Sequence, residues 1–167
     1  MSGKDEPRWL DQTEMTAWLR LIAVAERLPG VLDSQLRRES ALTHYEYQVL
    51  AMLSDAPDRT LRMTLLGFQT NATLPRLSHV VRRLEDRGFV ERVVAPEDRR
   101  ASNATLTDAG FDALEAAAPG HLNAVRESVF DNLTSTQTEA LSDALAAILA
   151  RIDPLGHAPQ DPRDSPA

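Results

Sequence analysis

Between residues 72 and 105 the chain holds seven arginines, at 76, 82, 83, 87, 92, 99 and 100, against five acids, a local net charge of +2. The remaining residues carry 11 basic and 20 acidic groups, a net of −9, so the overall −7 conceals one basic segment. Every positive charge in that segment is a guanidinium, whose planar fork of N–H donors suits paired contacts with phosphate oxygens or with guanine O6 and N7. A solvated helix face balanced by Glu85 and Asp86 accounts for the charge alone equally well. Other chemistries are poorly supplied. The absence of cysteine excludes disulfides, thiolate metal sites and thiol switching. The four histidines, at 44, 79, 121 and 157, show no His-x-x-x-His or paired-carboxylate spacing for a metal. Ser78 and His79 are adjacent on a helix, so they do not face each other as nucleophile and base. No glycine-rich phosphate loop occurs. The expectation is a non-enzyme with no cofactor and no metal.

The elements that must carry the arginines sharpen this. Thr73 reads as an N-cap with Pro75 in the first turn, where its missing N–H costs nothing. The helix it opens is expected to run to about Arg87, burying Leu77, Val80, Val81 and Leu84, with Gly88 as its left-handed C-terminal residue. A helix of this kind fits the DNA major groove and reads base edges with its N-terminal residues. Thr73, Leu74, Pro75, Arg76, Ser78 and His79 fall at or beside that edge, with Arg82 one turn on. Before it, Thr60–Met63 suggests a small strand, Thr64 a cap for a short helix Leu65–Thr70, and residues 71–73 a turn. After it, 89–95 is rich in β-formers, 96–101 is a polar turn and 102–106 returns as a strand. Arg99 and Arg100 then sit at the tip of a hairpin, placed for a minor groove or the phosphate backbone. Two helices joined by a tight turn and followed by such a hairpin make a winged helix-turn-helix. The fold class is mainly α with a small β-hairpin wing.

The outer segments are helical. Trp18, Leu21, Ile22, Ala25, Leu28, Leu32 and Leu36 recur at helical spacing, with a kink or restart expected at Pro29-Gly30. Thr43 and Glu46 form a capping box for the next helix, which carries Tyr47, Leu50, Ala51 and Leu53. Thr107 caps another helix, with a kink expected at Pro119-Gly120, and Thr134 opens the last, to about Ile152. The last helix lines up Leu141, Leu145, Ile148, Leu149 and Ile152. These apolar faces exceed what a small winged helix needs to cover, which points to a homodimer. The expected organisation is a flexible N-terminus (1–10), an N-terminal dimerisation helix (11–42), a DNA-binding lobe (43–110), C-terminal dimerisation helices (111–152) and a disordered, proline-rich tail (153–167). With 43% hydrophobic residues, no long apolar run and no apolar leader, the expectation is a globular cytoplasmic protein.

The stretch Leu-Ser-His-Val-Val-Arg-Arg-Leu-Glu-Asp-Arg-Gly-Phe-Val-Glu-Arg (77–92), then Asp98-Arg-Arg100, then Leu106-Thr-Asp-Ala-Gly110, resembles the MarR family of bacterial regulators. The resemblance implies a homodimeric transcriptional regulator, more simply a repressor than an activator, that binds a palindrome in double-stranded DNA. It places Thr73 to His79 on the reading part of the recognition helix, Arg99 at the wing tip, and Asp98 and Arg100 on a pair that shapes the wing. It also implies a cleft for a small aromatic or phenolic ligand, for which Trp18, His44, Tyr45 and Tyr47 are candidate lining; plain core and interface packing is the simpler account of these four. Gly67, where the family favours alanine, and Pro75, where a small polar residue is common, depart from the pattern and leave the operator open. Two alternatives stand beside this: a winged helix that binds protein, and a small-molecule-binding dimer whose DNA face does not read.

Overall fold

The computed structural model describes residues 7–95 and 98–153, with the side chains of 95 and 98–100 outside that description. The expected tail beyond 153, residues 1–6, and the side chains of Arg99 and Arg100 therefore lie outside the described residues.

The first helix, α1 (Gln12–Ser40), opens on a capping box between Asp11 and Glu14 and closes at Ala41, which adopts left-handed φ. It stays helical through Pro29, so of the two expectations there, a kink or a restart, the restart is absent. α5 (Asp108–Ser128) likewise stays helical through Pro119, the site of the other expected kink. α1 and α5 pack on each other and bury Leu32 and Leu36 from one side and Leu114 and Ala117 from the other. That tertiary contact outweighs one missing N–H per helix.

α2 (His44–Ser54) starts at the predicted Thr43–Glu46 capping box. A 3-10 turn (Pro57–Arg59) leads into β1 (Thr60–Arg62) and α3 (Met63–Gln69). The predicted cap at Thr64 is not used: α3 begins at Met63, two residues before the expected Leu65, straight off the strand, and no side chain caps it. The pairing of β1 with β3 (Asp98–Leu106), Leu61 opposite Ala104, fixes the chain up to Arg62, and buried Met63 follows directly.

Asn71, with φ 49°, turns the chain into α4 (Leu74–Asp86). The helix buries Leu77, Val80, Val81 and Leu84, the stripe its period predicts. Gly88, with φ 72°, reverses the chain into β2 (Val90–Ala95). β2 and β3 are antiparallel, with an irregularity between Val94 and Ala95. The wing is thus the outer part of a three-stranded sheet ordered β1-β3-β2, and its second strand starts at Asp98 instead of Ser102. A 3-10 turn (Phe130–Asn132) joins α5 to α6 (Ser135–Ile152). No residue of α6 is buried.

The core joins α2, α3, α4, the sheet and α5 around Leu50, Leu66, Leu77 and Leu84, all fully enclosed. Leu84→Ala is expected to cost about 2–5 kcal/mol through the cavity it leaves. A thermal melt checks this, and an unchanged curve contradicts the burial.

Candidate nucleic-acid interface

The core holds α4 with one edge outward. Thr73, Leu74, Pro75, Arg76, His79 and Arg82 are exposed, while Ser78 is half-buried and its carbonyl accepts from Arg92 at 3.4 Å. The Thr73 hydroxyl makes no capping bond, so the first-turn N–H groups of Leu74 and Arg76 are left for an outside acceptor such as phosphate.

The structure sorts the five arginines of the basic segment whose side chains are described into two kinds. Arg83 forms an ion pair at 3.0 Å with Glu46, which is fully buried. Arg92 pairs with Glu85 at 3.0 Å, and Arg87 donates to the Ala41 carbonyl while its guanidinium lies over the Phe89 ring. These three tie α4 to its neighbours. Among the described residues neither Arg82 nor Arg76 has an ion-pair partner, and the Arg76 guanidinium lies over the face of Tyr45, at 4.7 Å. The charge excess legible in sequence thus resolves into structural cations, Arg83 on α4, Arg87 at its C-terminal end and Arg92 on β2, and outward cations on α4. Glu46 serves twice, as cap acceptor for the Thr43 N–H and as partner of Arg83.

The wing is held against α4 at its base. Phe89 N–H donates to the Leu84 carbonyl, and Thr107 N–H donates to the Phe89 carbonyl at 3.1 Å. The Thr107 hydroxyl donates to the Gly88 carbonyl at 2.7 Å and accepts from Gly110 N–H at 3.0 Å. This gives the Leu106-Thr-x-x-Gly110 pattern its reason. A Cβ on Gly110 would lie 2.1 Å from the Phe89 carbonyl oxygen, so only glycine lets α5 approach the hairpin this closely.

The four candidate ligand-lining residues are not brought together within one chain. Tyr45 and Tyr47, two apart on α2, point in different directions. Tyr45 faces α3, its hydroxyl 2.9 Å from Thr70 Oγ1. Tyr47 faces α5, its ring centroid 4.3 Å from that of His121, and His44 lies 5.8 Å from His121. Trp18 is half-exposed on α1, about 22 Å along the helix from Asp33, at 1.5 Å per residue; it is Asp33 that accepts from the His44 N–H. His121, passed over at the level of sequence, is therefore the third member of the cluster. Its signal was available in its spacing: Leu114, Ala117 and His121 share the buried stripe of α5.

Both histidines have their pKa lowered, chiefly by burial; nearby Asp33 opposes this at His44, and the charge of His44 adds to it at His121. Their Nδ1 atoms are buried without a hydrogen-bond partner. Because the folded chain holds the neutral form, this contribution to stability is complete above the unfolded histidine value of about 6.5 and is lost as pH falls through the lower folded value. The melting temperature is expected to drop as pH falls below about 6.5, less steeply in His121→Gln. An identical slope in the variant contradicts a titrating His121. Among the described residues no three His, Asp or Glu side chains group closely enough to hold a metal, and no helix is long and apolar enough to cross a membrane.

Comparison with known proteins places this geometry. Residues 40–101 match the model of the MarR family. The chain is 41% identical to Sco3205, a MarR family transcriptional regulator from Streptomyces coelicolor solved in complex with DNA; the match covers 90% of this chain and 94% of that one, with a TM-score of 0.83. It is 32% identical to AbsC, a MarR family regulator from the same organism, over 87% of this chain and 98% of that one, with a TM-score of 0.80. It is also 34% identical over 85 residues to YdcH, an uncharacterized HTH-type transcriptional regulator of Bacillus subtilis; that match spans 48% of this chain and only 56% of YdcH.

Proposed function

The chain belongs to the MarR family and is a DNA-binding transcriptional regulator, not an enzyme, and from that premise we propose that it is a cytoplasmic repressor working as a homodimer on a palindromic operator. The observation that carries the proposal is the outward edge of α4, where Leu74, Arg76, His79 and Arg82 stand exposed beside the wing. Arg76 reads a base edge or grips a phosphate, Leu74 and Pro75 offer apolar contact to a thymine methyl, and Arg99 extends the contact from the wing. The dimer is supported by α6, whose Leu141, Leu145, Ile148, Leu149 and Ile152 are each between 37% and 70% exposed in one chain. A two-fold dimer sets its recognition helices about 34 Å apart, one turn of DNA. Occluding a promoter requires no contact beyond these.

Release by a small aromatic or phenolic ligand is the second part of the proposal. It is supported by the unpartnered, buried Nδ1 atoms of His44 and of His121, the ring that lies between His44 and Tyr47 in contact with both. Such a ligand acts only through a differential affinity for two arrangements of the lobes. Aromatic acids that leave both DNA affinity and melting temperature unchanged are eliminated as effectors.

The test of the DNA reading is Arg76→Ala on a bound operator and on duplexes altered one base pair at a time. A base contact predicts a loss of about 1–3 kcal/mol and relaxed preference at one position per half-site. A uniform loss across all duplexes makes Arg76 a phosphate contact, and no loss removes it from the interface.

A further inference from the structure

Tyr45 belongs to α2, outside the reading helix, yet its ring lies under the guanidinium of Arg76, a reading arginine. We propose that Tyr45 is a positioning residue for DNA recognition, holding the Arg76 guanidinium at the edge of the reading surface before DNA arrives; this rests on the assignment of α4 as the reading helix.

The geometry is a three-helix clamp. The Arg76 guanidinium carbon lies 4.7 Å from the centre of the Tyr45 ring. That ring is itself fixed. Thr70, the last residue before the turn, is buried, and its hydroxyl donates to the Leu66 carbonyl at 2.7 Å. A hydroxyl has one proton, so at the 2.9 Å contact it is Tyr45 that donates and Thr70 Oγ1 that accepts. Burial raises the Tyr45 pKa, which keeps the phenol protonated for this role. One side chain thus connects the first turn of α2, the end of α3 and the first turn of α4.

The clamp is suited to recognition because of what it leaves free. Arg83 and Arg92 spend donors on carboxylates, which fixes them in the fold. A ring face attracts a guanidinium without taking its N–H groups, so Arg76 is oriented while its planar fork stays available. Ordering a long side chain in advance removes part of the entropic cost of binding. The position of Tyr45 also makes the aim of Arg76 depend on how α2 sits against the turn.

The experiment uses the full chain and an operator duplex recovered by selection. Affinity is measured for the wild type, Tyr45→Leu, Tyr45→Phe, Arg76→Ala and Tyr45→Leu/Arg76→Ala, with melting curves alongside. Loss of the advance ordering of one arginine side chain in each of two half-sites predicts about five- to thirtyfold weaker binding for Tyr45→Leu. Tyr45→Phe, which keeps the ring, is expected to recover most of that loss. In the Arg76→Ala background Tyr45→Leu is expected to add nothing, and preference at the base pair read by Arg76 is expected to flatten while the other positions keep theirs. Equal losses in both backgrounds, or unchanged binding in Tyr45→Leu, overturn the proposal. If Tyr45→Leu does not fold, Tyr45→Met supplies the same comparison. A wild-type chain that binds no duplex fails the assignment of α4 itself, a result distinct from wild-type binding that is indifferent to Tyr45.

Discussion

Gly110→Ala is expected to lower the melting temperature by roughly 6–12 °C, equivalent to about 3 kcal/mol at the upper end of overpacking costs. The added methyl would sit 2.1 Å from the Phe89 carbonyl oxygen and 2.7 Å from Leu106 Cδ1. The first neighbour is backbone, held by the Thr107 N–H, so it cannot swing aside as a surface side chain would. Relief requires either α5 or the hairpin to move, and both routes break the Thr107 bonds that set the wing against α4. The variant is therefore expected to lose DNA affinity even at temperatures where it remains folded. Gly30→Ala is the control: nothing lies within 4 Å of a Cβ there, and its helical site favours alanine. Equal melting temperatures for the two variants contradict the close approach of α5 to the hairpin.

Leu145→Glu/Ile148→Glu is expected to convert a dimer to a monomer and to weaken operator binding by about 10²–10⁴-fold, the gain that linking two half-sites provides. Both side chains are already 37% and 41% exposed in one chain, so the charges remove little from its own core. In the proposed dimer the effect falls on the face of α6 turned to a second copy, where two buried carboxylates per chain would go unpaired. Light scattering distinguishes the outcomes. A mass and an affinity equal to wild type contradict α6 as the dimer surface, whereas a monomer that binds the full operator undiminished contradicts the need for a dimer.

Elements set by local chemistry were legible in sequence. The Thr43–Glu46 box, the left-handed Gly88 and the buried stripe of α4 each depend on residues within one or two turns, and each is found as expected. What depends on contacts between distant segments was not. Pro29 and Pro119 look like breaks because local propensity penalises them, but packing of α1 on α5 carries both helices through. The start of α3 is set by the pairing of β1 with a strand some 40 residues later, and Thr64 gives no hint of it. The same holds for the candidate site. The arginine excess identified the segment, but which guanidiniums face outward is decided by Glu46 and Glu85, whose positions emerge only on folding. Grouping Tyr45 with Tyr47 followed proximity in sequence, while the helix directs one toward Thr70 and the other toward His121.

The most direct test of the central claim is selection of bound fragments from sheared host DNA by the purified chain, with Arg76→Ala/Arg99→Ala as control. The account predicts enrichment of a few fragments that share an inverted repeat with half-sites one helical turn apart, lost in the control and weakened steeply by salt. No enrichment over the control at low salt would contradict sequence-specific DNA reading by α4 and the wing.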